Sequence, residues 1–417
     1  MAESSERFIG ARIAELRKRR GLTQQGLAMR ANISMSLLSK VEVGQKPASP
    51  EFVAACARAL SVPPADLLGQ PYLNELRKDH TDRVIQPIRE VLNFHNLGHD
   101  PVVRPRSLEE LSAERDRICQ PIQATDNRTA AVDLPALMSE VIAIAHESDE
   151  SRAWAVLVML DWVAYSIASR YGFHDLSVIA VNRAEYAAAR SGDPMLSAMV
   201  KYLAATACMR AGEFRTGLRF RALGEGDLEY AEVGLEREAT LGQIHLIAGL
   251  LEARTGNAEA AEEHFRDASS LAVRTGEAIP ARWLGSTAFE EPSRGAIGHR
   301  DRGIHWFAFG PTNLAAYRIA AFADRNQHAE ALKVGESLNV SDQWPSNRMA
   351  YVHMDMARSY LWTGRNEEAF DRLLKAQKNA PEQTRFHPQV REVIVQLRKR
   401  ERSRGGSVAH FAQWVGV

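Results

Sequence analysis

The chain has 417 residues, 52 basic against 52 acidic side chains, 45% hydrophobic residues and three cysteines. That length suits two to four domains, or one small domain joined to a repeat array, and zero net charge excludes a uniformly basic nucleic-acid coat protein. Cys56, Cys119 and Cys208 stand far apart with no CxxC pair, so neither a zinc framework nor a disulfide scaffold is offered and a reducing compartment is expected. The start, MAESSERFIG, lacks a basic then apolar leader, and Asp161 interrupts the apolar run 153–168 before it could span a bilayer. The expectation is a soluble, cytoplasmic protein.

Residues 1–70 carry ten Lys/Arg against six Asp/Glu, so the remainder is acidic by the same excess of four. A small nucleic-acid-binding head on a neutral-to-acidic body would show that asymmetry. Five short helices are predicted in this stretch. Ile9, Ile13 and Leu16 fall at helical spacing until Gly21 stops the helix. Thr23 caps a second helix over 24–31, Asn32 tolerates the left-handed turn that follows, Ile33 points back to the core, and Ser34 caps a third helix over 35–43, ended by Gly44. Ser49 and Pro50 open a fourth helix, 51–60, and Pro64 a fifth, 64–68. Phe52, Val53, Leu60, Val62 and Leu67 would close a small core. A short helix, a tight turn and a second short helix form the helix-turn-helix pattern.

The runs IAELRKRRGLTQQGLA from Ile13, ISMSLLSKVEVG from Ile33 and ALSVP from Ala59 resemble the Cro/C1-type (XRE) DNA-binding domain across about sixty residues. The resemblance implies that the third helix enters the major groove with its N-terminal part against base edges. On this sequence that carries Ser34, Met35, Ser36, Ser39 and Lys40 as base-reading residues. Serines pair with several bases, Met35 suits a thymine methyl, and Lys40 can reach guanine or phosphate. The surface is therefore of low information, and phosphate contacts and DNA shape should supply more of the affinity. Gln24 matches the family position that bonds a phosphate; Arg12, Arg17, Gln45 and Lys46 are further phosphate candidates, with a solvated helix face as the alternative for each basic residue. The family usually has Gly at Asn32 and a bulky residue at Gly26, and Gly26 should loosen the second helix.

From Pro71 the character changes. A connecting helix is predicted over 74–93, a break at Pro101 to Pro105, and a capping box at Ser107 and Glu110. Beyond it, Gly249, Gly256, Ala261, Phe265 and Ala268 are separated by 7, 5, 4 and 3 residues, and Ala357, Gly364, Ala369, Leu373 and Ala376 repeat those separations. These are the small, turn, small, large and small positions of a tetratricopeptide repeat. Looser copies turn at Gly172, Gly212 and Asn326, giving turn-to-turn separations of 40, 44, 70 and 38 residues, hence longer helices and one insertion. The fold expected is all-α: a five-helix Cro/C1-type head (1–70), a helical linker (71–130) and a TPR-like α-solenoid (131–417).

In one register, the position two before each turn reads Arg170, Arg210, Arg254, Asp324 and Trp362. First helices line the concave face of such arrays, and other positions on that face would be Trp162, Tyr202, Gln243, Asn313, Tyr351 and Arg358. An arginine ladder with aromatic neighbours suits a carboxylate-bearing peptide or another anionic ligand; alternatively, the three arginines only complement helix C-terminal dipoles. The segment 279–313 holds Trp283, Phe289, Pro292, Trp306, Phe307 and the run Phe309-Gly-Pro-Thr-Asn313. It is read either as a helix-start turn capped by Thr312 or as a lid whose Asn313 meets a ligand backbone. Phe309 to Asn313, Leu67 to Tyr72 and the C-terminal region from Pro381 resemble actinobacterial regulators that join an XRE head to a tetratricopeptide array.

His299-Arg300-Asp301 has the form of a kinase catalytic-loop tripeptide, but Trp306 stands where Asn is required. GxxxxGK[ST], HExxH and GxSxG are absent and the histidines are scattered, so no enzyme, cofactor or metal is expected. The basic run 398–404 is read as the solvated end of a helix, with contact to DNA or an anionic partner as the alternative, and a capping helix with Val408, Phe411, Trp414 and Val415 follows. The leading expectation is a dimeric, sequence-specific transcriptional regulator that binds double-stranded DNA and whose operator affinity responds to a peptide or small-molecule effector. The alternative is a protein-interaction scaffold with a weak head.

Overall fold

The computed structural model describes residues 8–78, 82–98, 102–123, 126–148, 150–277, 308–340, 344–400 and 406–417. The aromatic part of 279–307 and the tripeptide at 299–301 lie outside them. Every extended element described is an α-helix, as expected.

The head contains α1 (Ile9–Arg19), α2 (Gln24–Ala31), α3 (Met35–Glu42), α4 (Pro50–Leu60) and α5 (Pro64–Leu68). Ile13, Leu27, Leu38, Cys56, Leu60 and Leu67 form its own buried core. Asn32 takes φ 54° at the turn between α2 and α3; its short amide side chain bears a left-handed residue at low cost. Despite Gly26, α2 is intact, with the Thr23 hydroxyl accepting from the Gly26 amide at 3.0 Å.

Next come α6 (Leu73–Lys78), α7 (Asp82–Phe94), α8 (Leu108–Gln123) and α9 (Asn127–Ser148). The capping box forms: Ser107 N donates to Glu110 Oε2 at 3.0 Å and Glu110 N to Ser107 Oγ at 3.3 Å. The segment read as a linker does not stand apart, because Leu76, Ile88, Leu92, Leu111 and Ile118 share one core with the array. Helix α9 is long and apolar enough to cross a membrane by length and composition. Its Leu134, Met138 and Val141 are buried in the protein core.

Five antiparallel hairpins follow: α10 (Ser151–Tyr171) with α11 (His174–Ser191), α12 (Pro194–Arg210) with α13 (Phe214–Glu229), α14 (Leu235–Thr255) with α15 (Ala258–Thr275), α16 (Pro311–Asp324) with α17 (His328–Ser337), and α18 (Ser346–Trp362) with α19 (Asn366–Asn379). Their turn residues Gly172, Gly212, Gly256, Asn326 and Gly364 all have positive φ, matching the register read from the sequence. Small residues act as the repeat pattern requires: a Cβ on Gly249 would sit 2.6 Å from the Phe265 ring. Ala357, Ala369, Leu373 and Ala376 are fully buried. The first helices neighbour one another in order, α10, α12, α14, α16 and α18, and form the inner layer.

The chain ends with α20 (Pro381–Arg385), α21 (Pro388–Arg400) and α22 (Ser407–Val415), the last burying Val408, Phe411 and Val415. These helices return to the start of the array. Glu382 Oε2 accepts from Asn127 N and Nδ2, each at 3.1 Å, and Arg385 pairs with Glu75 at 3.4 Å. They also hold the head: Ile9 N donates to Glu392 Oε2 at 2.9 Å, and Lys399 Nζ lies 3.3 Å from the centre of the Phe8 ring. The array thus closes on itself with the head against it.

Candidate functional site

The outer face of the head starts from the cap of α3. Ser34 Oγ accepts from Leu37 N at 3.2 Å and starts α3, whose first turn then presents Met35 and Ser36 to solvent. Lys40, Gln45 and Lys46 are exposed and Ser39 is half-buried. Gln24, half-buried at the start of α2, donates through Nε2 to Glu42 Oε2 at 2.7 Å. The structure brings these residues onto α3 and the segments beside it.

Arg12 and Arg17 behave differently, which corrects their assignment to phosphate. They are 9% and 8% exposed. Arg12 Nε donates to Leu67 O at 2.7 Å, tying α1 to α5. Arg17 forks onto both oxygens of Glu42, at 2.7 and 2.9 Å, and donates to Leu22 O at 2.8 Å. Both act as internal struts, Arg12 between α1 and α5 and Arg17 between α1 and α3.

A cavity of about 410 Å³ lies between the head and the inner layer of the array. Ten of the eleven residues predicted for the concave face line it: Trp162, Arg170, Tyr202, Arg210, Arg254, Asn313, Asp324, Tyr351, Arg358 and Trp362. Gln243 does not line it. It lies buried beneath, donating to the phenols of Tyr202 and Tyr317 at 3.0 and 2.9 Å and accepting from Asn313 Nδ2 at 2.7 Å. Arg348, Asp355, Tyr317 and His387, missed from the sequence, line the cavity too. Arg348 and Asp355 were findable, since 348, 351, 355, 358 and 362 form one stripe of α18 at spacings of 3 and 4.

The remaining wall was not foreseen. Ile9, Pro47, Ala48, Pro50, Val53, Ala54, Pro64 and Leu68 of the head close the cavity. Array turns make room for this: a Cβ on Gly212 would lie 2.8 Å from the Ala54 side chain.

Five arginines line the cavity against three carboxylates, Asp324, Asp355 and Glu392. Arg254 and Arg358 share Asp324, at 2.8 and 2.7 Å. Burial would raise the Asp324 carboxyl, but the two guanidiniums outweigh it and hold it below its ordinary value. Asp355 is pushed up to about 6, chiefly by burial. His387 is driven down to about 3 by burial and by Arg210, Arg358 and Arg254, so it is neutral. Arg210 reaches Tyr351 Oη at 3.3 Å. Burial alone would raise the Tyr351 phenol, but Arg210 and Arg170 hold it below its ordinary value. Arg210 Nε, Arg358 Nε, Asn313 Oδ1 and His387 Nδ1 are buried polar atoms with no hydrogen-bond partner. Such atoms carry a cost of about 1–3 kcal/mol each until something pairs with them. An anion would satisfy the arginines, and a donor such as an amide N–H would satisfy Asn313.

The 308–313 segment is packed. Phe309 is fully buried against α14, where a Cβ on Gly242 would lie 2.0 Å from its ring. Thr312 is not the cap expected of it. Gly310 occupies that position, and both Thr312 N and Oγ1 donate to Glu277 Oε1 at 2.7 Å.

Residues 9–68 match the family model of a helix-turn-helix domain. A search of curated proteins finds no match to the chain. Among solved structures, the crystal structure of Bacillus thuringiensis PlcR in complex with the peptide PapR7 and DNA is similar at 12% identity and a TM-score of 0.36, covering 88% of this chain and 98% of that chain.

Proposed function

We propose that the protein is a sequence-specific, homodimeric transcriptional regulator whose operator affinity is set by an anionic peptide or small molecule in the cavity. One observation carries the reading: a helix-turn-helix head exposes the start of α3 while its α4–α5 side walls a cavity rich in arginine. A ligand there touches both bodies, so its differential contacts with two head positions become a coupling free energy. The head alone is too small for tight binding to one half-site, and two-fold pairing of heads at about one DNA turn doubles the contacts. The role is binding rather than catalysis, in the cytoplasm.

The scaffold reading is favoured by the burial of Arg12 and Arg17, which leaves Lys40 and Lys46 as the cations assigned to DNA. The pair Gln24→Ala with Lys40→Ala separates the two readings in a DNA-retention assay. Loss of retention supports a working head, and unchanged retention by a folded variant contradicts these assignments. For the cavity, Arg210→Ala with Arg254→Ala should abolish any effector response while DNA binding without effector persists.

A further inference from the structure

The third hairpin carries a second cluster of functional side chains, on the face of α14 turned from the cavity. His245 lies two residues from both Gln243 and Ile247, about 160–200° around the helix from them. Its Nδ1 is 3.1 Å from Nδ1 of His264 and 3.8 Å from Oδ2 of Asp267. His264 and Asp267 stand one turn apart on α15, so both reach the same point. The three donor atoms lie within 4.8 Å of one another. Behind His245, on α13, Glu225 Oε1 is 4.0 Å from Nε2 and has no hydrogen-bond partner, its other oxygen being held by Arg221 at 2.6 Å.

We propose that His245, His264 and Asp267 bind a transition-metal dication of the zinc type, joining α14 to α15, with Glu225 orienting His245 from the far side. Two nitrogens on a tetrahedral zinc, each about 2.0–2.1 Å from it, lie about 3.3 Å apart, close to the separation seen here. Two imidazoles and a carboxylate are a common zinc donor set, and water completes the coordination. At 4.0 Å Glu225 is not hydrogen-bonded to His245, but its charge favours a proton on Nε2 and so leaves the Nδ1 lone pair toward the metal. Burial lowers both histidines below their ordinary value, and Arg221 pushes the same way. The scattered spacing of the histidines hid this site from the sequence, because its ligands come from two helices of one hairpin.

The test is titration of chelator-treated, full-length protein with zinc chloride, and with cobalt(II) chloride for its visible spectrum. One equivalent per chain, a tetrahedral cobalt spectrum and a higher Tm with zinc are expected, with no effect of magnesium. His264→Gln should weaken zinc binding by about 100-fold or more and Glu225→Gln by about 10-fold, as for lost ligands and outer-shell partners. Asp267 is half exposed, so Asp267→Asn probes the site without endangering the fold and should also weaken binding about 10-fold or more. Absence of zinc binding by the wild type overturns the proposal, and so does equal binding by the wild type, His264→Gln and Asp267→Asn. DNA binding is not part of the readout, so the result stands apart from the regulator reading.

Discussion

The head and the array use buried arginine in opposite ways. In the head, Arg17 finds both oxygens of Glu42 and a main-chain carbonyl, and Arg12 finds the Leu67 carbonyl. In the array, Arg210 has only phenols, Tyr351 and Tyr165, beside it and keeps an unpartnered Nε, while Arg254 and Arg358 share Asp324, with Asp355 a further 3.6 Å from Arg358. A satisfied buried cation fixes a fold. An unsatisfied one on a cavity wall costs stability that a ligand can return.

Glu42 is where the locked arginine of the head is most open to test. Glu42→Ala leaves Arg17 buried without its partner and should cost about 3–5 kcal/mol, read as an early unfolding of the head in urea. A loss under about 1 kcal/mol would mean that Arg17 is not locked. Next in size, Gly242→Ala drives a methyl into the Phe309 ring, and overpacking of this kind costs about 1–3 kcal/mol. Thermal unfolding should show it, with the array destabilised.

Asp355 sharpens the contrast through pH. Its carboxyl is raised to about 6, so the folded state favours the protonated form. That stabilisation is complete below the unfolded pKa near 4 and is lost as pH rises through about 6. Gln389 Nε2 donates to Asp355 Oδ1 at 3.0 Å; Asp355→Asn keeps that acceptor and should therefore raise stability by about 1–3 kcal/mol above pH 6 and make no difference below about pH 4. A stability difference independent of pH would contradict the placement. The smallest effect is expected at Arg210: its partners are neutral phenols rather than a carboxylate, so Arg210→Met loses hydrogen bonds worth about 0.5–1.5 kcal/mol each but no buried ion pair, and the net loss should stay below that at Glu42. A large loss there would make Arg210 a strut like Arg17.

The sequence was most legible where one residue has one job. Asn32, Ser34 and Ser49 marked turns and caps, and Gly249 with Phe265 marked the hairpin, because backbone conformation and close approach restrict those positions to few residue types. The first-helix register led to ten cavity residues for the same reason. What was hidden depends on distance in the chain. Arg12 and Arg17 look like any basic helix face until Leu67 and Glu42 are brought to them. Gln243 shares the helical face of its neighbours but is consumed by two phenols and an amide. The head's place as a cavity wall follows from the return of α21, which ties Ile9 to Glu392, a contact across almost the whole chain.

The regulator reading requires that the head read DNA. Binding of the full-length protein to DNA from its own promoter region, against scrambled DNA of equal length, across a salt series tests it most directly. The account predicts a tighter complex with promoter DNA, whose log affinity falls with log salt at about 0.9 per phosphate contacted. Equal, weak binding to both DNAs at every salt concentration would contradict it.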